Sequence, residues 1–144
     1  MAKVLVVDDD PDIRAVIMEA LRVAGHEVSS ATNGREGVEQ ALAIQPDLVV
    51  IDLFMPEQEG LETIRQLTQQ IPHIAILAMS GRSIASSPML TVALQLGAVN
   101  VLEKPFDAMT MRAAAEATLE TRAHCKPPEV FADQRSQSFS TESE

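Results

Sequence analysis

Five short runs that read as strands, separated by segments with helical spacing, constrain the fold of this chain more than any other feature. They occupy residues 4–7, 27–30, 48–51, 74–77 and 99–102, and all but the second are rich in Val, Ile and Leu, as β-strands are. The first, third and fourth runs are almost wholly apolar, which is what a strand covered on both faces requires. Strand and helix alternate five times, so the sequence predicts an α/β domain whose parallel sheet is covered by helices on both faces.

Two of the intervening segments carry helix-start signals. Asp10 is a predicted N-cap with Pro11 at the first helical position, and Asn33 is a predicted N-cap with Glu36 as its capping-box partner. Apolar residues recur at helical spacing behind both caps, and we expect them to face the core. They are Val16, Ile17, Ala20, Leu21 and Ala24 in the first helix and Val38, Ala41 and Leu42 in the second.

The composition supports one domain with an aliphatic core. Hydrophobic residues make up 46% of the 144 residues, and Trp and Tyr are absent. A chain of this length fits a single domain of ordinary size, which we predict to span residues 1–123. Residues 124–144 contain Pro127-Pro128 and many Ser, Gln and Glu residues but few large apolar ones, so the sequence predicts a disordered tail there.

The charge balance is acidic, with 21 Asp and Glu against 11 Lys and Arg and a formal net charge of −10. Such a surface repels nucleic-acid phosphates, so direct nucleic-acid binding is not expected. The N-terminal residues lack the apolar segment of a signal peptide, and the chain has no run of about 18 apolar residues to cross a membrane. We therefore expect a cytoplasmic protein without membrane association.

Acidic residues follow two of the predicted strands. Asp8, Asp9 and Asp10 come directly after the first run, and Asp52 comes directly after the third. Ligands of parallel α/β sheets bind beyond the carboxyl ends of the strands, so these carboxylates are expected to share one pocket. Carboxylates packed together disfavour one another's charge, and a hard cation such as Mg²⁺ relieves that conflict.

Ser80 and Lys104 follow the fourth and fifth runs and are expected at the same sheet edge. A hydroxyl and an ammonium group both suit phosphate oxygens. With the carboxylates they form a set suited to moving a phosphoryl group onto an aspartate. Each residue alone has a simpler interpretation as a helix cap, a turn residue or a surface charge; only their joint occurrence at the ends of four strands favours a site.

Four motifs in order resemble those of the receiver domains of bacterial response regulators. They are the first strand and acidic pair at 4–14, the segment Asp-Leu-Phe-Met-Pro-Glu-Gln-Glu-Gly at 52–60, Met-Ser-Gly at 79–81, and Gly-Ala at 97–98 followed by Glu-Lys-Pro-Phe at 103–106. The resemblance covers roughly residues 2 to 122. It implies a doubly wound (βα)5 domain whose five-stranded sheet has the flavodoxin-like strand order 2-1-3-4-5.

The resemblance also implies a metal site and a phosphorylation site. Asp52 would accept the phosphoryl group. Asp9 would bind Mg²⁺ directly, Asp8 mainly through water, and the Phe54 backbone carbonyl would be a further ligand.

The remaining roles implied by the resemblance concern Ser80 and Lys104. Ser80 would hydrogen-bond the phosphoryl oxygen, Lys104 would pair with it, and the Lys104–Pro105 peptide bond would be cis. Val101 departs from the family pattern, which often has Tyr or Phe there as a ring that moves on activation, so that part of the switch is not expected here.

The resemblance implies a signalling switch rather than an enzyme with multiple turnovers. Its phosphoryl donor would be a histidine kinase or a histidine phosphotransfer protein, and its output would be contact with an unknown downstream protein, since no DNA-binding output domain is expected in this chain. A monomer or weak dimer is expected. Two alternatives stay open: a binding module that works without phosphorylation, and a Mg²⁺-dependent phosphohydrolase, which is disfavoured because Phe54 stands where some such enzymes carry a second acid.

Overall fold

The computed structural model describes residues 2–53, 59–81, 88–124 and 130–131. Strands and helices alternate along these residues, as the sequence predicts. The strands are β1 (Lys3–Val7), β2 (Glu27–Ala31), β3 (Leu48–Asp52), β4 (Ala75–Ser80), β5 (Asn100–Glu103) and β6 (Val130–Phe131). The helices are α1 (Pro11–Val23), α2 (Gly34–Ile44), α3 (Glu59–Gln70), α4 (Pro88–Leu96) and α5 (Ala108–His124).

The strands form one parallel sheet in the order β2-β1-β3-β4-β5-β6. The first five positions confirm the predicted order 2-1-3-4-5. The sixth strand was not predicted: it comes from the segment that the sequence analysis assigned to a tail, and it pairs with the outer edge of β5. Two residues are too short a run to give a periodic signal.

Alternate residues of each strand point to opposite faces of the sheet, and each face has its own aliphatic core. On one face β1, β3 and β4 pack against α2, α3 and α4, with Leu5, Val49, Ile51, Ile64 and Leu67 all fully buried. On the other face the same strands pack against α1 and α5, where the buried residues include Val6, Val50, Ile17, Leu21 and Met111. The predicted helices on both faces are confirmed.

The predicted helix starts are also confirmed. The Asp10 side chain accepts hydrogen bonds from the backbone N–H groups of Asp12 and Ile13, and Pro11 is the first residue of α1. At α2 the Asn33 side chain accepts from the Glu36 N–H at 2.8 Å. In a standard capping box the Glu36 carboxylate would accept a hydrogen bond from the N–H of the N-cap residue Asn33. Here it accepts from the N–H of Thr32, one residue earlier, at 2.8 Å.

Two residues expected in the core are exposed instead. Val16 on α1 is 52% exposed and Leu42 on α2 is 43% exposed. Each helix lies on a single sheet face, so the buried stripe is narrower than the set of apolar residues that the spacing selects. Val16 borders a groove between α1 and α5 that is also lined by Val23, Ala108 and Arg112.

Among the described helices, none combines the length and the apolar composition that crossing a bilayer would require.

Gly25 and Gly97 end α1 and α4 with the same pattern of backbone hydrogen bonds. The N–H groups that follow each helix donate back in the 6→1 and 5→2 pattern of a Schellman motif, and both glycines have positive φ, at 98° and 129°. The surroundings differ. A side chain at Gly25 would meet no atom within 4 Å, whereas a Cβ at Gly97 would overlap the side-chain methyl group of Thr68 on α3.

We therefore predict different costs for the same substitution at these two helix ends. Gly25→Ala should lower the free energy of unfolding by about 1 kcal/mol, the cost of a positive φ alone. Gly97→Ala should lower it by about 3 kcal/mol, because steric overlap adds to the same backbone cost. Urea unfolding followed by circular dichroism measures both values. Equal losses would show that Thr68 moves aside without cost.

Candidate active site

The carboxyl ends of the central strands bring the predicted site residues to one edge of the sheet. Asp8 follows β1 directly, Asp52 is the last residue of β3, and Ser80 is the last residue of β4. Lys104 follows β5 directly. Because the strands are parallel and in register, these four residues come from adjacent positions along the sheet edge.

Asp8 is fully buried and makes contacts through both carboxylate oxygens. Its Oδ1 accepts a hydrogen bond from the Asp10 backbone N–H at 2.9 Å, and its Oδ2 lies 3.2 Å from the Lys104 ammonium nitrogen. Its backbone carbonyl accepts from the Arg14 guanidinium at 2.7 Å. Both the side chain and the backbone of Asp8 are therefore held in place.

Lys104 joins the two buried carboxylates of the site. Its Nζ lies 3.2 Å from Asp8 Oδ2 and 3.2 Å from Asp52 Oδ2, and its side chain is 19% exposed. Asp52 itself is buried. One positive charge thus faces two negative charges in a pocket largely shielded from water, where electrostatic interactions are stronger than at the surface.

The pKa values of Asp8 and Lys104 reflect this arrangement. Burial raises the pKa of Asp8 above its ordinary value of 3.8; the Asp10 N–H opposes that change, the charge of Asp52 adds to it, and Lys104 opposes it. Burial alone would lower the pKa of Lys104, but the charges of Asp52 and Asp8 outweigh burial and raise that pKa above 10.5. Lys104 is therefore charged at neutral pH.

Ser80 and Lys104 are linked through the backbone. Ser80 is fully buried, and its carbonyl accepts a hydrogen bond from the Lys104 N–H at 2.7 Å. Asp52 pairs with Met79 in the β3–β4 register, so Ser80 lies one residue further along the same edge. The position of Lys104 is consequently fixed by its backbone as well as by its ion pairs.

Asp9 adds a third carboxylate to the pocket. It is exposed, and one carboxylate oxygen from each of Asp8, Asp9 and Asp52 lies within 4.8 Å of the others. Oxygen ligands of this kind suit Mg²⁺, and the burial of two like charges gives a dication a stabilising role. The residues of the described pocket therefore fit the metal that the sequence predicts.

Three further features of the predicted site have different outcomes. The Lys104–Pro105 peptide bond is cis, as predicted. Phe54, the predicted backbone ligand of the metal, lies outside the described residues. Val101, which stands where the family often has an aromatic ring, is fully buried.

Sequence reasoning missed two residues that shape the site. A Cβ on Gly60, at the start of α3, would lie 2.6 Å from the Asp52 carbonyl oxygen, so only glycine lets α3 approach the end of β3 this closely. In the sequence, Gly60 stands out only as the last residue of the segment at 52–60. Arg14, one helical turn after the cap residue Asp10, holds the Asp8 carbonyl; no periodic signal distinguishes it from a surface arginine.

The pocket holds two buried carboxylates, Asp8 and Asp52, and one ammonium group, Lys104. In metal-free buffer at pH 7, this imbalance predicts opposite effects of two substitutions on the free energy of unfolding. Asp8→Asn removes one of two like charges and keeps an oxygen for the Asp10 N–H, so the free energy of unfolding should rise by about 1 kcal/mol. Lys104→Met removes the cation that the two buried carboxylates share and should lower it by about 3 kcal/mol. Urea unfolding measures both, with the exposed Asp12→Asn as a control expected to change it by less than about 0.5 kcal/mol.

The gain from Asp8→Asn should also depend on pH. Because the pKa of Asp8 is raised above 3.8, the folded state keeps this proton at pH values where the unfolded chain has released it. Stability contributed by Asp8 therefore falls as pH rises through the interval between 3.8 and the raised value. The advantage of the variant should be absent below that interval and complete above it. Destabilisation by Asp8→Asn at pH 7 would show that its ion pair with Lys104 outweighs the repulsion from Asp52.

Comparison with known proteins identifies relatives along most of the chain. A family model described as the response regulator receiver domain matches residues 4–116. The chemotaxis protein CheY of Thermotoga maritima is 35% identical over 105 residues, which is 72% of this chain and 86% of that protein. The alkaline phosphatase synthesis transcriptional regulatory protein PhoP of Bacillus subtilis is 33% identical over 81% of this chain, but the chain spans only 48% of PhoP.

Solved structures of other proteins are also similar to this chain. The chemotaxis response regulator CheY4 of Vibrio cholerae superposes with a TM-score of 0.74 at 31% identity, covering 82% of this chain and 98% of that one. NtrX of Brucella abortus superposes with a TM-score of 0.80 at 29% identity, covering 86% of this chain and 28% of NtrX. Together with the family match, these similarities show that the chain belongs to the response regulator receiver domains of two-component signalling.

Proposed function

We propose that this receiver domain is a phosphorylation-activated signalling switch of a two-component system or phosphorelay, with Asp52 as the phosphoryl acceptor. The observation that carries the proposal is the sharing of one ammonium group, Lys104 Nζ, by the buried carboxylates of Asp8 and Asp52 at 3.2 Å each. A purely structural pocket gains nothing from burying a second like charge, whereas a phosphoryl acceptor beside a metal site requires it.

The reaction uses a carboxylate oxygen of Asp52 as the nucleophile. It attacks the phosphorus of the donor, the bond from phosphorus to the donor nitrogen or oxygen breaks, and that electron pair leaves with the donor. The product is an acyl phosphate on Asp52, and no oxidation or reduction takes place. Attack by water on the same phosphorus returns the carboxylate and inorganic phosphate, which resets the switch slowly.

Three carboxylates and one backbone carbonyl would hold Mg²⁺. Asp9 and Asp52 would be the direct carboxylate ligands, and the Phe54 backbone carbonyl would be the further ligand. Asp8 acts mainly through water, which agrees with the engagement of both its oxygens by Asp10 N–H and Lys104 Nζ. Held by these residues, Mg²⁺ would supply positive charge for the phosphoryl oxygens during the transfer.

Lys104 and Ser80 complete the acceptor site. The Lys104 ammonium pairs with a phosphoryl oxygen once Asp52 is modified, and the Ser80 hydroxyl hydrogen-bonds to another. Both residues lie next to Asp52 along the sheet edge, and their backbones are joined by the hydrogen bond from Lys104 N–H to Ser80 O.

The phosphoryl donor in this proposal is a histidine kinase or a histidine phosphotransfer protein, and the output is contact with a downstream protein. The names of the relatives associate CheY with chemotaxis and PhoP with transcriptional regulation. These processes are different, so they do not select one for this chain. The domain acts as a monomer or weak dimer.

The two alternatives are less well supported by the site. A phosphohydrolase with multiple turnovers would need an acid to protonate each leaving group, and the described acids near Asp52 are assigned to the metal and to Lys104. A binding module independent of phosphorylation would not need buried carboxylates that oppose one another.

Intact mass spectrometry tests the acceptor. With Mg²⁺ and acetyl phosphate, the protein should gain one phosphoryl group, and it should gain none when EDTA replaces Mg²⁺. Asp52→Asn should abolish the adduct because it lacks the nucleophilic oxygen. Asp47→Asn, at the residue that immediately precedes the same strand, is the matched control and should be phosphorylated as the wild type is. An adduct that persists in Asp52→Asn would assign the acceptor to another residue.

Thermal unfolding tests the metal ligands without phosphate. Mg²⁺ should raise the melting temperature, since a ligand at a hundred times its Kd stabilises a fold by about 2.7 kcal/mol. Asp9→Asn should remove most of that increase, and Asp12→Asn, a nearby exposed carboxylate outside the cluster, should retain it. Equal responses in the two variants would count against Asp9 as a ligand.

A further inference from the structure

The three carboxylates of the metal cluster differ in how they are held. Asp8 and Asp52 are buried, Asp9 is exposed, and one carboxylate oxygen from each lies within 4.8 Å of the others. Packing fixes the two buried side chains, but it does little to fix a side chain that faces solvent. The direction in which the Asp9 carboxylate points therefore depends on the Asp9 backbone.

Both peptide groups that flank Asp9 are hydrogen-bonded. The Asp8 carbonyl belongs to the peptide group before Asp9, and it accepts a hydrogen bond from Arg14 Nη1 at 2.7 Å. The Asp10 N–H belongs to the peptide group after Asp9, and it donates to Asp8 Oδ1 at 2.9 Å. Because a peptide group is planar, these two bonds restrict the rotations φ and ψ about the Asp9 Cα.

Arg14 provides a firm support for this segment. Its backbone N–H donates to the Asp10 carbonyl at 3.0 Å, and the Asp10 side chain accepts from the N–H groups of Asp12 and Ile13 at the start of α1. The guanidinium thus connects the first turn of α1 with the end of β1. A hydrogen bond from a charged donor is stronger than one between neutral groups, and the planar guanidinium gives it a defined direction.

We propose that Arg14 is a positioning residue for Mg²⁺: by holding the Asp8 carbonyl, it orients the Asp9 carboxylate and so raises the affinity of the cluster for the metal. This inference rests on the metal site of the proposed function. The contact that Arg14 makes with the cluster is to the backbone of Asp8, so it acts through the direction of Asp9 and not as a ligand.

The positive charge of Arg14 makes the sign of its effect informative. A guanidinium near the cluster repels a dication, so its removal should, by charge alone, tighten the binding of Mg²⁺. Loss of its hydrogen bond frees the peptide group before Asp9, so by positioning alone its removal should weaken the binding. The proposal predicts that the loss of positioning outweighs the gain from charge.

Calorimetric titration of the full chain with Mg²⁺ tests this prediction. Arg14→Met removes the guanidinium but keeps an unbranched apolar stem and a good helix former, so α1 is retained. The dissociation constant for Mg²⁺ should rise about tenfold, as is typical when a group that orients a metal ligand is lost. Arg22→Met removes the same charge from the exposed last turn of α1 and should change the constant by less than about twofold.

Gly25→Ala is the control for a general loss of stability in α1. Gly25 lies beyond the far end of this 13-residue helix, about 20 Å from its first turn. The substitution should lower the free energy of unfolding and leave the segment from Asp8 to Asp10 unchanged. Because distant sites act independently, its dissociation constant for Mg²⁺ should stay within about twofold of the wild-type value.

Phosphorylation by acetyl phosphate separates metal affinity from the transfer itself. For Arg14→Met, the Mg²⁺ concentration that gives half the maximal rate should rise about tenfold. The rate at saturating Mg²⁺ should stay within about twofold of the wild-type rate, because the variant loses binding and not stabilisation of the transition state. A rate that stays low at saturating Mg²⁺ would assign Arg14 to the transfer and overturn the positioning role.

The outcomes separate the two proposals. Unchanged or tighter Mg²⁺ binding by Arg14→Met, in a protein that is phosphorylated at Asp52, would overturn the positioning role and retain the proposed function. Equal weakening in Arg22→Met or Gly25→Ala would also overturn it, because charge or stability would then account for the loss. No binding of Mg²⁺ by the wild type would overturn the metal site of the proposed function, and this inference with it.

Discussion

The electrostatic imbalance at the carboxyl edge of the sheet is the constraint on which the other features of the site depend. Two buried carboxylates, Asp8 and Asp52, share one ammonium group, and a third carboxylate lies nearby. The aliphatic layers on both sheet faces hold these groups together despite their repulsion, because residues Val4 to Val7 of β1 and all of β3 are buried. The fold therefore provides the energy that keeps these like charges close together, and a cation or phosphoryl group changes that balance.

The helix starts could be predicted because they depend on local sequence, whereas the strand order could be predicted only from the resemblance to the receiver-domain family. Apolar runs of four or five residues define the central strands, and Asp10 and Asn33 act on N–H groups within three residues. The convergence of Asp8, Asp52, Ser80 and Lys104 could be predicted as well, since parallel strands in register place their ends at one edge. No distance between them could be predicted.

The remaining features depend on contacts between distant parts of the chain. Val16 and Leu42 have the right spacing for the core, but the width of the buried stripe depends on how each helix lies on the sheet. The close approach that requires Gly60 involves the backbone of a neighbouring strand. The two-residue strand β6 depends on pairing with β5, and its flanking composition resembles that of a disordered segment. Such contacts leave no periodic pattern in the sequence.

The contact between Thr68 and the end of α4 determines how that helix can turn. The Thr68 hydroxyl donates to the Leu96 carbonyl at 3.2 Å, and its methyl group leaves no room for a side chain at Gly97. The C-terminal end of α4 is thus fastened to α3, while its other end, Pro88, lies eight residues from Leu96, about 12 Å along the helix axis. Because α4 is held at its C-terminal end, a rotation of the helix by a few degrees about Gly97 would leave Leu96 almost stationary and give Pro88 the largest displacement.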